Sequence, residues 1–360
     1  MARNLLVFLV ALVLGLFCHV AVSDHMVQAP RYTVNLDISP EARWNDLLHH
    51  WNLTEYRARI TKAIEQYVPA AAWDIIGDLV STLDQYLPAP YAQEIQGIAK
   101  TVGLEVGQIT ALNILYDVSA FCTSIVAQDS NGTIWHARNL DYELGDILRN
   151  ITVIVDFQVR GKTVYTTTSY AGHVGAFTGQ KPHAFTVTIN ERDQGNIADN
   201  IMELLNALVL KKSAFVSFML RDALSNDATY QEALNRLITK EEIAPVYYTI
   251  AGIRPDEGAV ITRDHAKALD VWMLDEPNGR WYLLETNYDH WEPPPKDDDR
   301  RDPGNKAMLA VGQDDINDKT LMKVLSVKPV LNGHTTYTTI MSAAQPDVFN
   351  THTRFIDSNE

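Results

Sequence analysis

From Pro40 to about Leu87 the apolar positions recur at steps of three and four. Ile64, Tyr67, Val68, Trp73, Ile76, Leu79, Val80, Leu83 and Tyr86 carry the stripe, with an interruption near Pro69. This spacing predicts helices with one buried face. Pro88 and Pro90 stop the pattern, and a second helical stretch runs from Gln93 to about Tyr116. The texture then changes. CTSIVAQD, beginning at Cys122, reads as a strand, SNG as a tight turn and TIWHAR as the partner strand. Further strands are predicted at ITVIVDFQ from Ile151, TVYTTTSY from Thr163 and AFTVTIN from Ala184. A helical pattern covers about Ile197 to Ile238. Strands resume at VYYTIAG, GAVITRD, DVWML, WYLLETN and TTYTTI, starting at Val246, Gly258, Asp270, Trp281 and Thr335. EPPPKDDDRRDPGN, from Glu292, reads as a polar, proline-rich loop. A helical piece therefore precedes Cys122, and a strand-rich piece with helices in its middle follows it. That order predicts the α+β class, with sheets between outer helices.

The first residues, MARNLLVFLVALVLGLFCHVAVSD, read as a secretory signal peptide over 1–23. Arg3 precedes an apolar run from Leu5 to Phe17, and Ala21-Val22-Ser23 precedes Asp24. The run is shorter than the ~20 apolar residues of a spanning helix. Three sequons, at Asn52, Asn131 and Asn150, fit a glycoprotein of the secretory route. Composition adds one exclusion. Asp plus Glu total 45 against 30 Lys plus Arg, a formal charge of −15 with no basic run, so nucleic acid is a poor partner.

With Cys18 in the leader, Cys122 is left without an intrachain partner for a disulfide. A lone thiol is a buried hydrophobe, a link to another chain or a nucleophile. Its position favours the third. A thiol that opens a strand can attack the carbonyl before it, and hydrolysis of the resulting thioester makes Cys122 a new N-terminus. The freed α-amine, with an ordinary pKa of ~7.7–8.0, can then act as base for the thiol. The histidines show no zinc-binding spacing and one cysteine builds no thiolate site, so neither metal nor cofactor is expected.

The string CTSIVAQDS, the following NG, RNLDY, ETNYDHW and DDRR occur in order. With them the chain resembles the family of acid ceramidase and N-acylethanolamine acid amidase. These are lysosomal N-terminal-nucleophile cysteine hydrolases, more distantly similar to bile-salt hydrolases. The resemblance runs from RYTVNLD near Arg31 to the YTT strand near Thr338, and AFCTSIVAQDS, RNLDY and ETNYDHW look more like the amidase. Acid ceramidase carries extra cysteines that form disulfides, and this chain has none of them. The resemblance implies an αββα sandwich and self-cleavage in acid between Phe121 and Cys122. A helical α-subunit, 24–121, would stay bound without a covalent link to a catalytic β-subunit, 122–360.

It also implies roles. Cys122 is the nucleophile. Arg138, on the paired strand, favours the thiolate and lowers the pKa of the amine. Asp141 accepts a hydrogen bond from that amine. Asn287 donates to the oxyanion, and Arg300 closes the site, although KDDDRRD alone reads as a solvated charge run. Glu191, in INERD, lies near the site, where its protonation in acid would permit self-cleavage. Phe177 lines an acyl pocket with Tyr142 nearby. His136 is taken as structural. The stripe around Trp73, Ile76 and Leu79 reads first as core and second as a membrane-facing surface. The expected activity is lysosomal hydrolysis of N-acylethanolamines to fatty acid and ethanolamine, with secretion as a further destination. Ceramide hydrolysis is the alternative within the class, and a lipid-binding glycoprotein without catalysis the alternative outside it.

Overall fold

The computed structural model describes residues 24–81, 87, 89–117, 120–142, 145–192, 215–242 and 244–356. The leader, residues 82–86 with Leu83 and Tyr86, and the segment 193–214 lie outside the described residues. The strands are β1 (Asp24–Gln28), β2 (Arg31–Asn35), β3 (Ala120–Gln128), β4 (Ile134–Tyr142), β5 (Thr152–Val159), β6 (Lys162–Tyr170) and β7 (Thr178–Lys181). They continue as β8 (Phe185–Glu191), β9 (Val246–Ala251), β10 (Gly258–Arg263), β11 (Ala268–Met273), β12 (Tyr282–Glu285), β13 (Thr335–Met341) and β14 (Phe349–Ile356). The helices are α1 (Asn45–Leu48), α2 (Leu53–Tyr67), α3 (Ala72–Ser81), α4 (Tyr91–Val102), α5 (Val106–Asp117) and α6 (Gly145–Ile151). After them come α7 (Val216–Asn226), α8 (Tyr230–Thr239), α9 (Arg301–Val311) and α10 (Asp318–Val324).

Two sheets stack face to face. One runs β1-β14-β13-β4-β3-β12 and the other β11-β10-β9-β8-β7-β6-β5-β2. The pairings are antiparallel apart from β2 on β5. Helices α9 and α10 cover the outside of the first sheet, and α7 and α8 that of the second. This is the αββα order anticipated from the sequence.

Side chains alternate across each strand. On β3 and β4, Ile125, Ala127, Trp135 and Ala137 point outward, onto Met308, Leu321 and Val324 of α9 and α10. Val126 and Ile134 point inward, where they meet Tyr247, Ala251, Val260 and Leu283. Each valine, leucine, isoleucine or methionine among them contributes about 1.5–3 kcal/mol when fully buried. Towards the Cys122 end the inner layer becomes polar. Ser124 bonds Thr188 (2.9 Å) and Asn190 (2.7 Å), and His136 bonds Thr186 (2.9 Å) and Thr188 (3.1 Å). His136 spends both ring nitrogens on these threonines, in keeping with the structural part expected of it. Such groups are costly to bury unless paired, and their placement marks this end of the sandwich as the one that holds chemistry.

The piece before Cys122 is not purely helical. β1 pairs with β14, and β2 lies parallel to β5, so residues 24–35 extend both sheets. DHMVQ lies almost entirely at the surface, which explains why no apolar alternation advertised it. Buried Arg354 holds Asp24 at the end of β1. A second tie is Glu94 of α4, fully buried. It accepts from Arg221 of α7 (2.6 and 3.0 Å), Arg43 (2.9 Å) and the Trp44 indole (2.8 Å). The helical stretch from Gln93 divides at Gly103, whose φ of +70° closes α4 in the left-handed conformation that glycine tolerates. Ile76 is buried and Trp73 packs against the same core, so core is the reading for these two. The side chain of Leu79 lies outside the described residues. Strands β7 and β14 escaped the sequence reading; TGQK is short, and the alternation of FNTHTRFI is mostly of polar residues.

Candidate active site

Cys122 is the third residue of β3 and points into the polar end of the sandwich, fully buried. Register places Cys122 opposite Leu140 and Ser124 opposite Arg138. Arg138 therefore lies diagonally across the ladder on the same face, in the middle of β4 and not at its end as anticipated. Its Nη2 donates to Cys122 Sγ (2.5 Å) and to the Ile189 carbonyl (3.1 Å). Its Nη1 donates to the Phe177 carbonyl (2.8 Å) and Thr178 Oγ1 (3.0 Å). One sheet thus supplies thiol and cation, and the other fixes the cation's orientation.

The cation does not make the thiolate the favoured form in the uncut chain. Burial pushes the Cys122 thiol up to about 11, against the opposing pull of Arg138 and Arg300, while Asp141 and Glu191 push it further up. Arg138 pulls towards the thiolate, the direction the sequence reading gave it, but desolvation of the sealed thiol outweighs that pull.

The main chain of Cys122 is held as firmly as its side chain. Its N–H donates to Asn287 Oδ1 (2.8 Å), and its carbonyl accepts from Arg300 Nη1 (2.6 Å). Arg300 Nη2 also donates to Asn287 Oδ1 (2.8 Å), and Asn287 Nδ2 donates to the Glu191 carbonyl (2.7 Å). Asn287, two residues beyond β12, presents its oxygen to the cysteine N–H, while its Nδ2 donates one bond to the Glu191 carbonyl.

Arg300 is almost fully buried, gripped by Asp298 through Nε (2.8 Å) and Nη2 (2.7 Å). The neighbouring Arg301 donates to the carbonyls of Tyr288, Asp289 and Glu292 and lies over the Tyr288 ring. DDRR is therefore not a solvated charge run. The predicted loop ends at Arg300, where α9 begins, with Pro303 in its first turn, a position that needs no N–H.

Asp141 stands opposite Phe121 across the β3–β4 ladder. Its Oδ2 accepts from Asn332 Nδ2 (2.9 Å) and lies 3.9 Å from Arg300 Nη1. Burial raises its pKa and Arg300 opposes that. In this uncut form the Cys122 nitrogen is an amide bound to Asn287, so the anticipated bond from the amine to Asp141 is absent. Phe121, Asp141, Asn332, His334, Pro329 and residues 296–300 line a cleft of about 630 Å³ that reaches the Phe121–Cys122 junction.

Glu191 ends β8, half-buried, and Arg192 beside it forms a two-pronged ion pair with Asp289 (2.9 Å each), to which the Tyr247 hydroxyl also donates (2.7 Å). Tyr142 and Phe177 are buried and meet edge to face, with centroids 6.5 Å apart. Tyr170 lies against Tyr142, and His173 stacks on Phe177.

The structure gathers Cys122, Arg138, Asp141, Asn287, Arg300 and Glu191 around one junction, with Tyr142 and Phe177 beside Arg138. Sequence reasoning missed Asp298, Arg301, Asn332 and the Arg192–Asp289 pair. Asp289 and Arg192 sit within the quoted strings ETNYDHW and INERD; Asn332, in LNGH, reads as an ordinary turn. The sequon asparagines fall elsewhere: Asn52 and Asn150 are exposed and Asn131 lies in the Asp129–Thr133 hairpin connection, which is longer than the tight turn predicted.

Two family models match the chain. One, for linear amide C–N hydrolases of the choloylglycine hydrolase family, covers residues 122–316. The other, the beta subunit of N-acylethanolamine-hydrolyzing acid amidase, covers 27–87. The N-acylethanolamine-hydrolyzing acid amidase of Rattus norvegicus is 45% identical over 90% of this chain and 89% of its own length. The Rattus norvegicus acid ceramidase is 36% identical over 90% of this chain and 86% of its own. The solved structure of a Caenorhabditis elegans N-acylethanolamine-hydrolyzing acid amidase ortholog superposes with a TM-score of 0.57 at 38% identity, covering 63% of this chain and 95% of that one. A buried thiol held by an arginine at the head of a sandwich strand, together with these likenesses, makes the chain a member of the choloylglycine hydrolase family of linear amide C–N hydrolases.

Proposed function

We propose that the chain is an N-terminal-nucleophile amidase that hydrolyses N-acylethanolamines to fatty acid and ethanolamine. The observation that carries this reading is the Cys122–Arg138 contact at a strand-opening thiol. Relatives named for N-acylethanolamine hydrolysis, up to 45% identical, set the substrate class.

The uncut chain is a zymogen on this reading. Cys122 Sγ attacks the Phe121 carbonyl, the C–N bond breaks, and the nitrogen takes the thiol proton. Water then cleaves the thioester, leaving a Phe121 carboxylate and a free α-amine on Cys122. Asp141, opposite Phe121, and Glu191 are the carboxyl groups placed to bias this step. Protonation of Glu191 in acid removes one negative charge that opposes a reacting thiolate, while Asp141 stays beside Arg300. In the mature enzyme the α-amine takes the proton as sulfur attacks the lipid amide. It passes that proton to the departing ethanolamine, and water releases the fatty acid. Arg138 steadies the thiolate and Asp141 the ammonium. Asn287, released from the Cys122 amide and turned to present its nitrogen, joins Arg300 on the oxyanion. Tyr142 and Phe177 border the acyl chain. The α-piece, 24–121, stays bound through β1, β2 and Glu94. The lysosome is the compartment this acid chemistry suits, reached by the secretory route.

Acid-treated protein is to be assayed with N-palmitoylethanolamine and with a ceramide of the same acyl chain. Faster release of palmitate from the ethanolamide supports the reading. Faster ceramide turnover transfers it to the ceramidase branch, and release from neither refutes both. Discrimination resides on the amine side of the site, because the two substrates share the acyl half.

A further inference from the structure

A groove of about 200 Å³, which shares no lining residue with the active-site cleft, lies between the two pieces of the chain. Trp51, Glu55, Tyr56 and Arg59 form one wall, from the piece before Cys122. Ile147 and Ile151 of α6 form the other. The groove is smaller than the ~300–1,000 Å³ that drug-sized ligands need. Two of the three sequon asparagines, Asn52 and Asn150, line it from opposite sides. Asn150 is exposed, and its carbonyl accepts from the Trp51 indole N–H (3.3 Å), which brings the indole beside the sequon. Glu55 and Arg59 form an exposed ion pair at the rim (2.6 Å), offering hydroxyl partners of both polarities. The indole meets Asn150 by its N–H edge and packs against Tyr32, and a ring beside a carboxylate and a guanidinium offers a sugar both apolar contact and partners for its hydroxyls.

We propose that the groove is the seat of the first sugar of an N-linked glycan on Asn150. The glycan belongs to the piece after Cys122 but rests on Trp51 of the piece before it. Its attachment transfers an oligosaccharide from a lipid-linked diphosphate donor. The sugar C1–O bond to phosphate breaks, a C1–N bond to Asn150 Nδ2 forms, and Nδ2 loses one proton. Attachment at Asn52 is compatible with the local fold as well. The Asn52 Oδ1 that caps α2 by accepting from Thr54 and Glu55 N–H remains an amide oxygen after its nitrogen is modified. The Asn150 glycan nonetheless carries the contact, because its occupancy bridges the two pieces.

The test expresses the full chain in a eukaryotic secretory host and maps its glycopeptides. The folded protein is then treated with peptide-N-glycosidase. The expected result is a glycan on Asn150 that is released at least tenfold more slowly than from Trp51→Ala. Trp51→Phe, which keeps a ring face, should restore most of the protection. Circular dichroism and cleavage at Cys122 show that each variant is folded. An unmodified Asn150, or release rates equal in the wild type and Trp51→Ala, overturns the proposal. The readout does not depend on which lipid amide the enzyme cuts.

Discussion

Cys122 and Arg138 meet through a contact of 2.5 Å between Sγ and Nη2 inside a sandwich where neither side chain reaches solvent. Among the described residues the cation has four acceptors, two of them, Thr178 and Ile189, on strands of the opposite sheet and one, Phe177, just before β7. Replacing it by lysine keeps a charge and loses the fan of bonds. Arg138→Lys is expected to lower stability by about 1–3 kcal/mol for each buried acceptor left unpaired. It should cut amidase turnover by at least ~10²-fold. Urea unfolding and steady-state kinetics measure the two effects separately.

Towards an external alkylating agent at neutral pH the thiol should be slow before cleavage and fast after it. With its pKa near 11, on the order of one uncut molecule in 10⁴ carries a thiolate at pH 7. Iodoacetamide labelling at that pH is expected to be slow in the uncut chain and at least ~10²-fold faster in acid-processed protein. Equal rates would remove the sealed-zymogen reading.

Arg192 and Asp289 bracket the loops that present Glu191 and Asn287. The Arg192–Asp289 ion pair holds those loops together alongside the Asn287 bond to the Glu191 carbonyl. The Asp289 carboxylate keeps a lowered pKa because Arg192 and Tyr247 outweigh its partial burial, so the pair stays charged in mild acid. Asp289→Asn is expected to reduce kcat with little change in KM. Exchanging the two residues, as Arg192→Asp with Asp289→Arg, should recover part of the loss. A purely structural role would lower stability in all three variants without that kinetic split.

Two buried carboxyl groups, Glu242 beside β10 of the second sheet and Glu285 beside the Ser124 end of the site, give the fold its own pH dependence. Burial raises Glu242, near Arg263, and Glu285, near Arg301, to about 8 each. Their folded pKa values exceed the ordinary 4.5, so the native state binds more protons between those limits. Stability from these groups is complete below about pH 4.5 and is lost as pH rises through 8. Thermal unfolding should show a higher Tm at pH 5 than at pH 8, and Glu242→Gln should flatten that slope.

Much of this was readable in the sequence because it rests on local pattern. β3, β4, β9 and β10 announce themselves by runs of β-branched and aromatic residues, and Cys122 by standing where helix gives way to strand. What escaped depends on pairing between distant segments. Strand β1 has no apolar face to display, since its contribution is backbone bonding to β14 and the Asp24–Arg354 ion pair. Arg300 and Arg301 look like surface charges until Asp298, Asn287 and the carbonyls of the 288–292 loop are seen to consume their donors. Asn287 was identified as a site residue, yet the way its amide faces follows from three-dimensional partners, the Cys122 N–H and Arg300 on its oxygen and the Glu191 carbonyl on its nitrogen.

The central claim is that Cys122 becomes a reactive N-terminus. The most direct measurement is the intact mass of purified, deglycosylated protein before and after incubation in mild acid. Two fragments, the larger one beginning at Cys122, are predicted for the wild type, and a single chain for Cys122→Ala. A folded wild-type protein that stays uncut in acid while hydrolysing the ethanolamide would contradict the account, because the thiol would then act without a freed amine beside it.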